Sequence, residues 1–250
     1  METLILILAA LITSSISAII GMGGGIILLG VMAIIIPEGY MVIALHGIIQ
    51  LVSNTTRTYV FKSYLHKRII KEFSIGATIG WLASALIILF LINYFEVNSA
   101  NEIKIDILKP IIGCFILWYL YIKKPGSNKK IKTFIPVGAI SGLSSIFIGA
   151  TGPLIAPFYL SENINKEEII ANKAACQMIT HLSKIPLFLL FFNVDYFAEY
   201  SILLPLILAV FIGTNFGKKV LRFIPENIFR KIFSITLSII AIKLIVQNFI

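Results

Sequence analysis

The sequence predicts an all-α, polytopic membrane protein. The expected fold is a transmembrane helical bundle of two inverted repeats, each with a glycine-broken helical hairpin and about three spans. Three observations predict it. The mean hydropathy is +0.95, charged residues gather between long apolar blocks, and one glycine-interrupted pattern occurs in both halves of the chain.

The composition excludes a water-soluble fold. Of the 250 residues, 58% are hydrophobic and only 13% are charged, whereas about a quarter of the residues of a soluble domain are charged. The apolar blocks have the length, roughly 15 to 25 residues, that crosses a bilayer. We therefore expect lipid to surround most of the chain.

The net charge of +9 does not indicate a nucleic-acid partner, because Lys and Arg fall mainly in short clusters between spans. Cys114 and Cys176 lie far apart in apolar segments without metal-ligand spacing, so no metal site and no structural disulfide are expected. The first residues could form a signal peptide. However, Glu2 precedes the apolar run and no Lys or Arg does, which favours a membrane span.

A basic segment divides the chain. Residues 1–122 form the first predicted repeat, residues 123–132 a cytoplasmic linker, and residues 133–250 the second repeat. The first repeat should hold an apolar block at 3–36 broken at 21–25, a helix at about 41–61, and spans at 72–95 and up to Tyr121. The second should hold an apolar block at 134–160 broken at 149–153, a helix with a polar stripe, and spans at 200–217 and 228–246.

The two halves align without a gap around their breaks. SAIIGMGGGII, residues 17–27, matches SIFIGATGPLI, residues 145–155, so that Gly21 falls on Gly149 and Gly24 on Gly152. With one residue of shift the polar stripe of the following helix also recurs: Gln50, Ser53, Asn54 and Arg57 fall on Gln177, Thr180, His181 and Lys184.

Loop charges indicate how the halves are oriented. Residues 62–71, 123–132 and 218–231 are basic and expected in the cytoplasm, whereas 193–200 carries only acidic charges and is expected outside. Equivalent loops thus lie on opposite sides, which predicts an inverted repeat whose broken blocks enter and leave on one side as hairpins. Against this, the supposedly cytoplasmic residues 161–168 carry three Glu, so single crossings remain an alternative.

The breaks are candidate binding sites. In hydrocarbon, a non-helical break survives only where protein or a water-filled cavity satisfies its backbone. The following half-helices, expected to begin near Ile26 and Leu154, present free amides and a positive dipole end that suit an anion. Five candidate ligand residues follow: Gly23, Gly24, Gly25, Thr151 and Gly152. The alternative is that these glycines only allow tight helix crossing.

Arg57 and Lys184 are cations placed inside predicted spans, where a charge is expensive and normally faces a partner or a cavity. No acidic residue of the neighbouring spans offers a partner, and an anionic substrate would supply one. Arg57 lies five residues before Lys62, so its side chain could instead reach the cytoplasmic surface. Lys184 lies deeper, next to Pro186.

Polar neighbours of these cations could complete the site. Gln50, Asn54, Gln177 and Thr180 share helical faces with them and could donate hydrogen bonds to an oxyanion, or could simply bond neighbouring helices together. His181 could carry a proton or contact substrate. A neutral histidine bonded to another helix is the alternative.

At GMGGGIILLG with ALHGIIQLVSNTTRTYVF, and at GATGPLIAPFYL with NKAACQMITHLSK, the sequence resembles the sulfite exporter TauE/SafE family, also called toluene-sulfonate uptake permeases. The match covers nearly the whole chain. The resemblance implies a polytopic transporter of sulfite, sulfonates or sulfoacetate across the cytoplasmic membrane, without a cofactor. It places the family's glycine motif at residues 21–25 and 149–153, and its polar run at Gln50, Asn54 and Arg57. Thr151 and Pro153 depart from glycine in the second copy.

Three classes of function remain. The leading one is a secondary transporter of a small anion whose halves rock about a midplane site. A passive anion channel would share the same lining. An intramembrane hydrolase using Ser144 or Ser145 with His181 lacks a GxSxG motif and an acidic residue to orient the histidine, and no catalytic residues are assigned. No phosphate-binding GxxxxGK[ST] loop is present. A homo-oligomer is left open.

Overall fold

A computed structural model describes residues 1–21, 23–102, 114, 116–122, 132–160, 162 and 164–246. These residues are helical with no β-strand among them, which confirms the predicted class. The helices named below are α1 (Glu2–Ile20), α2 (Gly24–Ile35), α3 (Gly39–Val60), α4 (Lys67–Phe95), α5 (Ile135–Ile148), α6 (Gly152–Leu160), α7 (Lys166–Phe191), α8 (Tyr200–Leu221) and α9 (Glu226–Val246). Of these, α1, α4, α7 and α8 are long and apolar enough to cross a membrane.

Helix boundaries lie close to those expected, with informative shifts. The half-helices α2 and α6 begin at Gly24 and Gly152, two residues before the predicted starts. Helix α4 begins at Lys67 instead of near residue 72, because Lys and Arg are good helix formers and continue the helix beyond the apolar span. The linker at 123–132 lies outside the described residues except for Lys132, so the division into domains stays a prediction.

Glycines with positive φ form both breaks. Helix α1 ends at Gly21, with φ of 81°, and Gly23 follows at 90°; helix α5 ends at Gly149 at 77°. Only glycine adopts this left-handed region without strain. The caps repeat as well, since the Gly21 amide donates to the Ser17 carbonyl at 2.9 Å and the Gly149 amide to the equivalent Ser145 carbonyl at 3.3 Å.

Each broken block folds back as a hairpin. Leu6 near the start of α1 and Met32 near the end of α2 belong to one apolar cluster, together with Leu203 at the start of α8. In the second half, the rings of Phe134 before α5 and Tyr159 late in α6 lie 5.4 Å apart between centroids. The two limbs of each hairpin therefore begin and end at the same end of the bundle.

The hairpins open at opposite ends. The second opens where α4 begins, because the Phe134 amide donates to Glu72 at 2.8 Å and Arg68 donates to the Lys132 carbonyl at 2.5 Å. The first opens where α8 begins, and there the Ser99 hydroxyl, past the end of α4, donates to the Phe191 carbonyl at 3.0 Å. This confirms the inverted repeat.

Packing between the halves is reciprocal. Helix α1 packs mainly on α8, its counterpart α5 packs mainly on α4, and α3 packs on α7. Small residues permit these close crossings: a Cβ at Gly76 or Gly80 would overlap the backbone of α5, and one at Gly213 or Gly217 the backbone of α1. Such contacts replace the hydrophobic driving force that is missing between helices in lipid.

Two acidic residues have partners at the basic end of the bundle: Glu168, one of the three Glu that conflicted with the predicted orientation, and Glu226. His66 lies 2.8 Å from Glu168, whose carboxylate also closes a capping box with Asn165. Glu226 pairs with Arg230 at 3.0 Å and accepts the Lys166 amide at 2.9 Å. These acids join the basic segments to one another, so they do not argue against a single basic face.

We expect Gly138→Ala to destabilise the protein, because its Cβ would overlap the backbone carbonyl of Phe73. A loss of ~1–3 kcal/mol, typical of overpacking, should lower the midpoint of thermal unfolding in detergent. Gly39→Ala is the control, since no atom lies within 4 Å of the added carbon. Equal midpoints for the two variants would contradict the close α4–α5 crossing.

Candidate functional site

The tips of the two hairpins meet at a cavity in the middle of the bundle. The cavity is narrow. Its volume is about 20 Å³, little more than one water molecule needs. Its lining comes from both tips and from α3 and α7: Ser17, Gly23, Gly25, Ile26, His46, Gln50, Arg57, Ala150, Gly152, Pro153, Lys173, Gln177 and His181.

The amino-terminal ends of α2 and α6 face this cavity, each beneath a glutamine amide. A Cβ at Gly25 would lie 3.3 Å from Oε1 of Gln50, and one at Gly152 would lie 2.7 Å from Nε2 of Gln177. The outer sides of the breaks are packed against apolar side chains, Gly21 on Ile170 and Phe233 and Gly149 on Leu29 and Ile43. The free amides at the starts of α2 and α6 are therefore placed beside the cavity.

Arg57 is directed inward. Its side chain is only 2% exposed, so it does not reach the cytoplasmic surface as the alternative interpretation supposed. Nη1 donates to the Ser17 carbonyl at 3.2 Å and Nη2 to Oδ1 of Asn54 at 2.5 Å. Nε has no hydrogen-bond partner among the described residues. Arg57 thus retains a free donor beside the cavity.

Lys173 is a third buried cation, which the sequence analysis missed. It is 1% exposed, and its Nζ donates to the Gly21 carbonyl at 2.8 Å and to Oε1 of Gln177 at 3.1 Å. The signal was present in the repeat, because the register that pairs Gln50 with Gln177 also pairs His46 with Lys173. Both of those residues line the cavity.

Lys184 lies behind the cavity and does not line it. It is 1% exposed, and its Nζ donates to the Gly149 carbonyl at 2.5 Å. Arg57 and Lys184 therefore each have a backbone carbonyl as a partner, which the sequence did not indicate. Each of the three cations donates to a carbonyl in the last turn or cap of α1 or α5, where the helix dipole is negative.

These carbonyl partners are neutral, so the positive charge is not balanced. Among the described residues no Asp or Glu is buried, and none of the ion pairs there involves Arg57, Lys173 or Lys184. A carbonyl dipole supports a cation but carries no net negative charge. The surroundings of the cavity are consequently electropositive.

Of the twelve predicted ligand residues, seven line the cavity: Gly23, Gly25, Gln50, Arg57, Gly152, Gln177 and His181. The other five, Gly24, Asn54, Thr151, Thr180 and Lys184, lie behind it. Asn54 holds Arg57, and the hydroxyls of Thr151 and Thr180 lie within 3.3 and 3.1 Å of Ser141 Oγ. Gly24 lies against the Thr13 carbonyl of α1, so its role there is tight helix crossing.

Two buried histidines face each other across the cavity, with ring centroids 6.1 Å apart. His46 Nε2 lies 2.8 Å from the Gly25 carbonyl and so carries its proton on that nitrogen. His181 is 1% exposed, and neither of its ring nitrogens has a hydrogen-bond partner among the described residues. The hydroxyls of Ser144 and Ser145 donate to carbonyls of their own helix, at 2.6 and 2.9 Å.

An inverted helical bundle with an electropositive cavity at two hairpin tips defines a multi-pass membrane protein of the transporter class. The description "Sulfite exporter TauE/SafE" matches residues 6–244, and the chain belongs to this family. It is accordingly a membrane transporter of the sulfite or anion type. Comparison with curated proteins and with solved structures finds no match.

Neighbouring glycines should separate the structural role from the ligand role. Gly24→Ala would drive its Cβ into the Thr13 carbonyl, whereas Gly25→Ala meets only the movable end of Gln50. We expect Gly24→Ala to lose ~1–3 kcal/mol of stability and Gly25→Ala to unfold at nearly the wild-type temperature. Thermal unfolding of both variants in detergent tests this, and the reverse order would contradict the placement of the two residues.

Proposed function

We propose that the protein is a secondary transporter that carries a small sulfur oxyanion or organosulfonate, such as sulfite or sulfoacetate, across the cell membrane by alternating access. The observation that carries this proposal is the cavity between the hairpin tips. It is lined by two buried cations, Arg57 and Lys173. An anion is the charge that this site lacks, and no catalytic residue or cofactor is needed for its passage.

The donors around the cavity support an oxyanion ligand. Nε of Arg57 has no hydrogen-bond partner within the described part of the chain, and the amides of Gln50 and Gln177 lie over the starts of α2 and α6. Together they would surround an oxyanion with hydrogen bonds from side chains and helix ends, as in other anion sites.

The tip contacts suggest how binding would be linked to movement. Lys173 on α7 of the second half holds the Gly21 carbonyl at the tip of the first hairpin, so this cation joins the two halves. An anion that accepts a hydrogen bond from Lys173 weakens the contact between Lys173 and Gly21. The first hairpin would then adopt a different arrangement. Because the hairpins open at opposite ends, such rearrangements would expose the site to one side of the membrane at a time.

Flux into liposomes tests this function against a channel. We expect saturable uptake of labelled sulfite that is accelerated by unlabelled sulfite on the opposite side, because a carrier returns faster when loaded. Protein-free liposomes are the control. Conductive flux that does not saturate would establish the channel alternative, and no flux of any sulfur oxyanion would overturn the proposal.

We expect Arg57→Gln to weaken sulfite binding by about tenfold or more, the value of a charge-assisted hydrogen bond. The matched control is Lys67→Gln, which removes the same charge from an exposed position at the basic end. Ligand-induced thermal stabilisation of the purified proteins measures both. Wild-type affinity in Arg57→Gln, with the fold intact, would place the anion elsewhere.

A further inference from the structure

Each of the two repeats contributes one cation to the lining of the cavity. Arg57 extends from α3 and Lys173 from α7, and each is at most 2% exposed. We infer that the cavity selects a substrate with two negative charges, so that Arg57 of the first half and Lys173 of the second each bind one of them. This inference rests on the proposed transport of an anion and specifies the charge of that anion.

The charge balance favours a dianion. A buried charge is costly unless another charge compensates for it, and no buried carboxylate compensates these two cations among the described residues. A monoanion would neutralise one of them and leave the other. A dianion neutralises both, and it does so only when the two halves enclose it together.

Both cations keep a donor for such a ligand. Nε of Arg57 has no partner in the described part of the chain. An ammonium has three N–H donors, and Lys173 uses two of them, for Gly21 and Gln177. The third N–H is therefore available for a ligand. Nζ also lies close to the start of α6, 3.4 Å from the position that a Cβ on Gly152 would occupy.

Lys184 does not add a third charge to the count. Its Nζ is held by the Gly149 carbonyl and does not line the cavity. His46 and His181 also face the cavity from α3 and α7. His46 donates Nε2–H to the Gly25 carbonyl. No buried Asp or Glu among the described residues favours a second proton on either ring, so both rings count as neutral. The number of cations that meet the substrate is therefore two.

Matched anions that differ in charge test the inference. Sulfate and methanesulfonate have the same tetrahedral shape, and sulfoacetate and isethionate share a two-carbon sulfonate skeleton. The first of each pair is a dianion and the second a monoanion at a slightly alkaline pH. In at least one pair, we expect the wild-type protein to bind the dianion about tenfold or more tightly than the monoanion. One additional hydrogen bond to a charged group accounts for a difference of this size.

Variants then locate the second charge. Lys173→Gln should weaken binding of the dianion but not of the monoanion, so that the preference disappears, and Lys173→Arg should keep it. A purely structural role for Lys173 would weaken both ligands equally. Lys219→Gln is the charge-matched control, because Lys219 is exposed on the last turn of α8.

The outcomes separate the inference from the proposed function. If the wild-type protein binds monoanions and dianions equally, or if Lys173→Gln keeps the full preference, the inference is wrong while anion transport stands. If the wild-type protein binds none of these anions nor sulfite, the proposed function and the inference fall together. Loss of the preference in Lys173→Gln alone, with Lys173→Arg and Lys219→Gln unchanged, supports both.

Discussion

A helix that stops inside hydrocarbon leaves backbone groups without partners, and the rest of this structure depends on how they are satisfied. The carbonyl ends of α1 and α5 are met by the side chains of Arg57, Lys173 and Lys184. The amide ends of α2 and α6 face a narrow cavity. Cations thus stabilise the breaks and, by the same placement, give the cavity its positive charge.

The two-fold repeat builds the cavity, but its chemistry is not symmetric. Gln50 and Gln177 occupy equivalent positions over the starts of the two half-helices. The cavity cations are not equivalent, because the counterpart of Lys173 is His46 and the counterpart of Arg57 is Lys184, which lies behind the lining. The repeat therefore extends to the two hairpins and to the glutamines, but not to the positions of the cations that line the cavity.

Sequence reasoning reached the fold because membrane constraints are strict: apolar length, loop charge and the repeated glycines suffice to predict inverted hairpins. It identified Arg57 and the glycines for the same reason. It could not tell Gly24 from Gly25, since the rotation of about 100° between neighbouring residues of a helix decides whether a Cβ meets the backbone of α1 or the end of Gln50. It missed Lys173, because this lysine follows the charged residues 166–168 near the polar start of its helix, and its counterpart in the first half is His46 and not a cation. The carbonyl partners of the cations depend on the three-dimensional break and leave no sequence signal.

The central claim is that uncompensated positive charge between the hairpin tips is the place where the anion binds. Crystals grown with selenite, a sulfite analogue whose selenium scatters anomalously, test it most directly. The account predicts one anomalous peak per chain between Arg57 and Lys173, beneath Gln50 and Gln177, with selenite oxygens within hydrogen-bond distance of both cations. A cavity without a peak, in protein that demonstrably binds selenite, would contradict it.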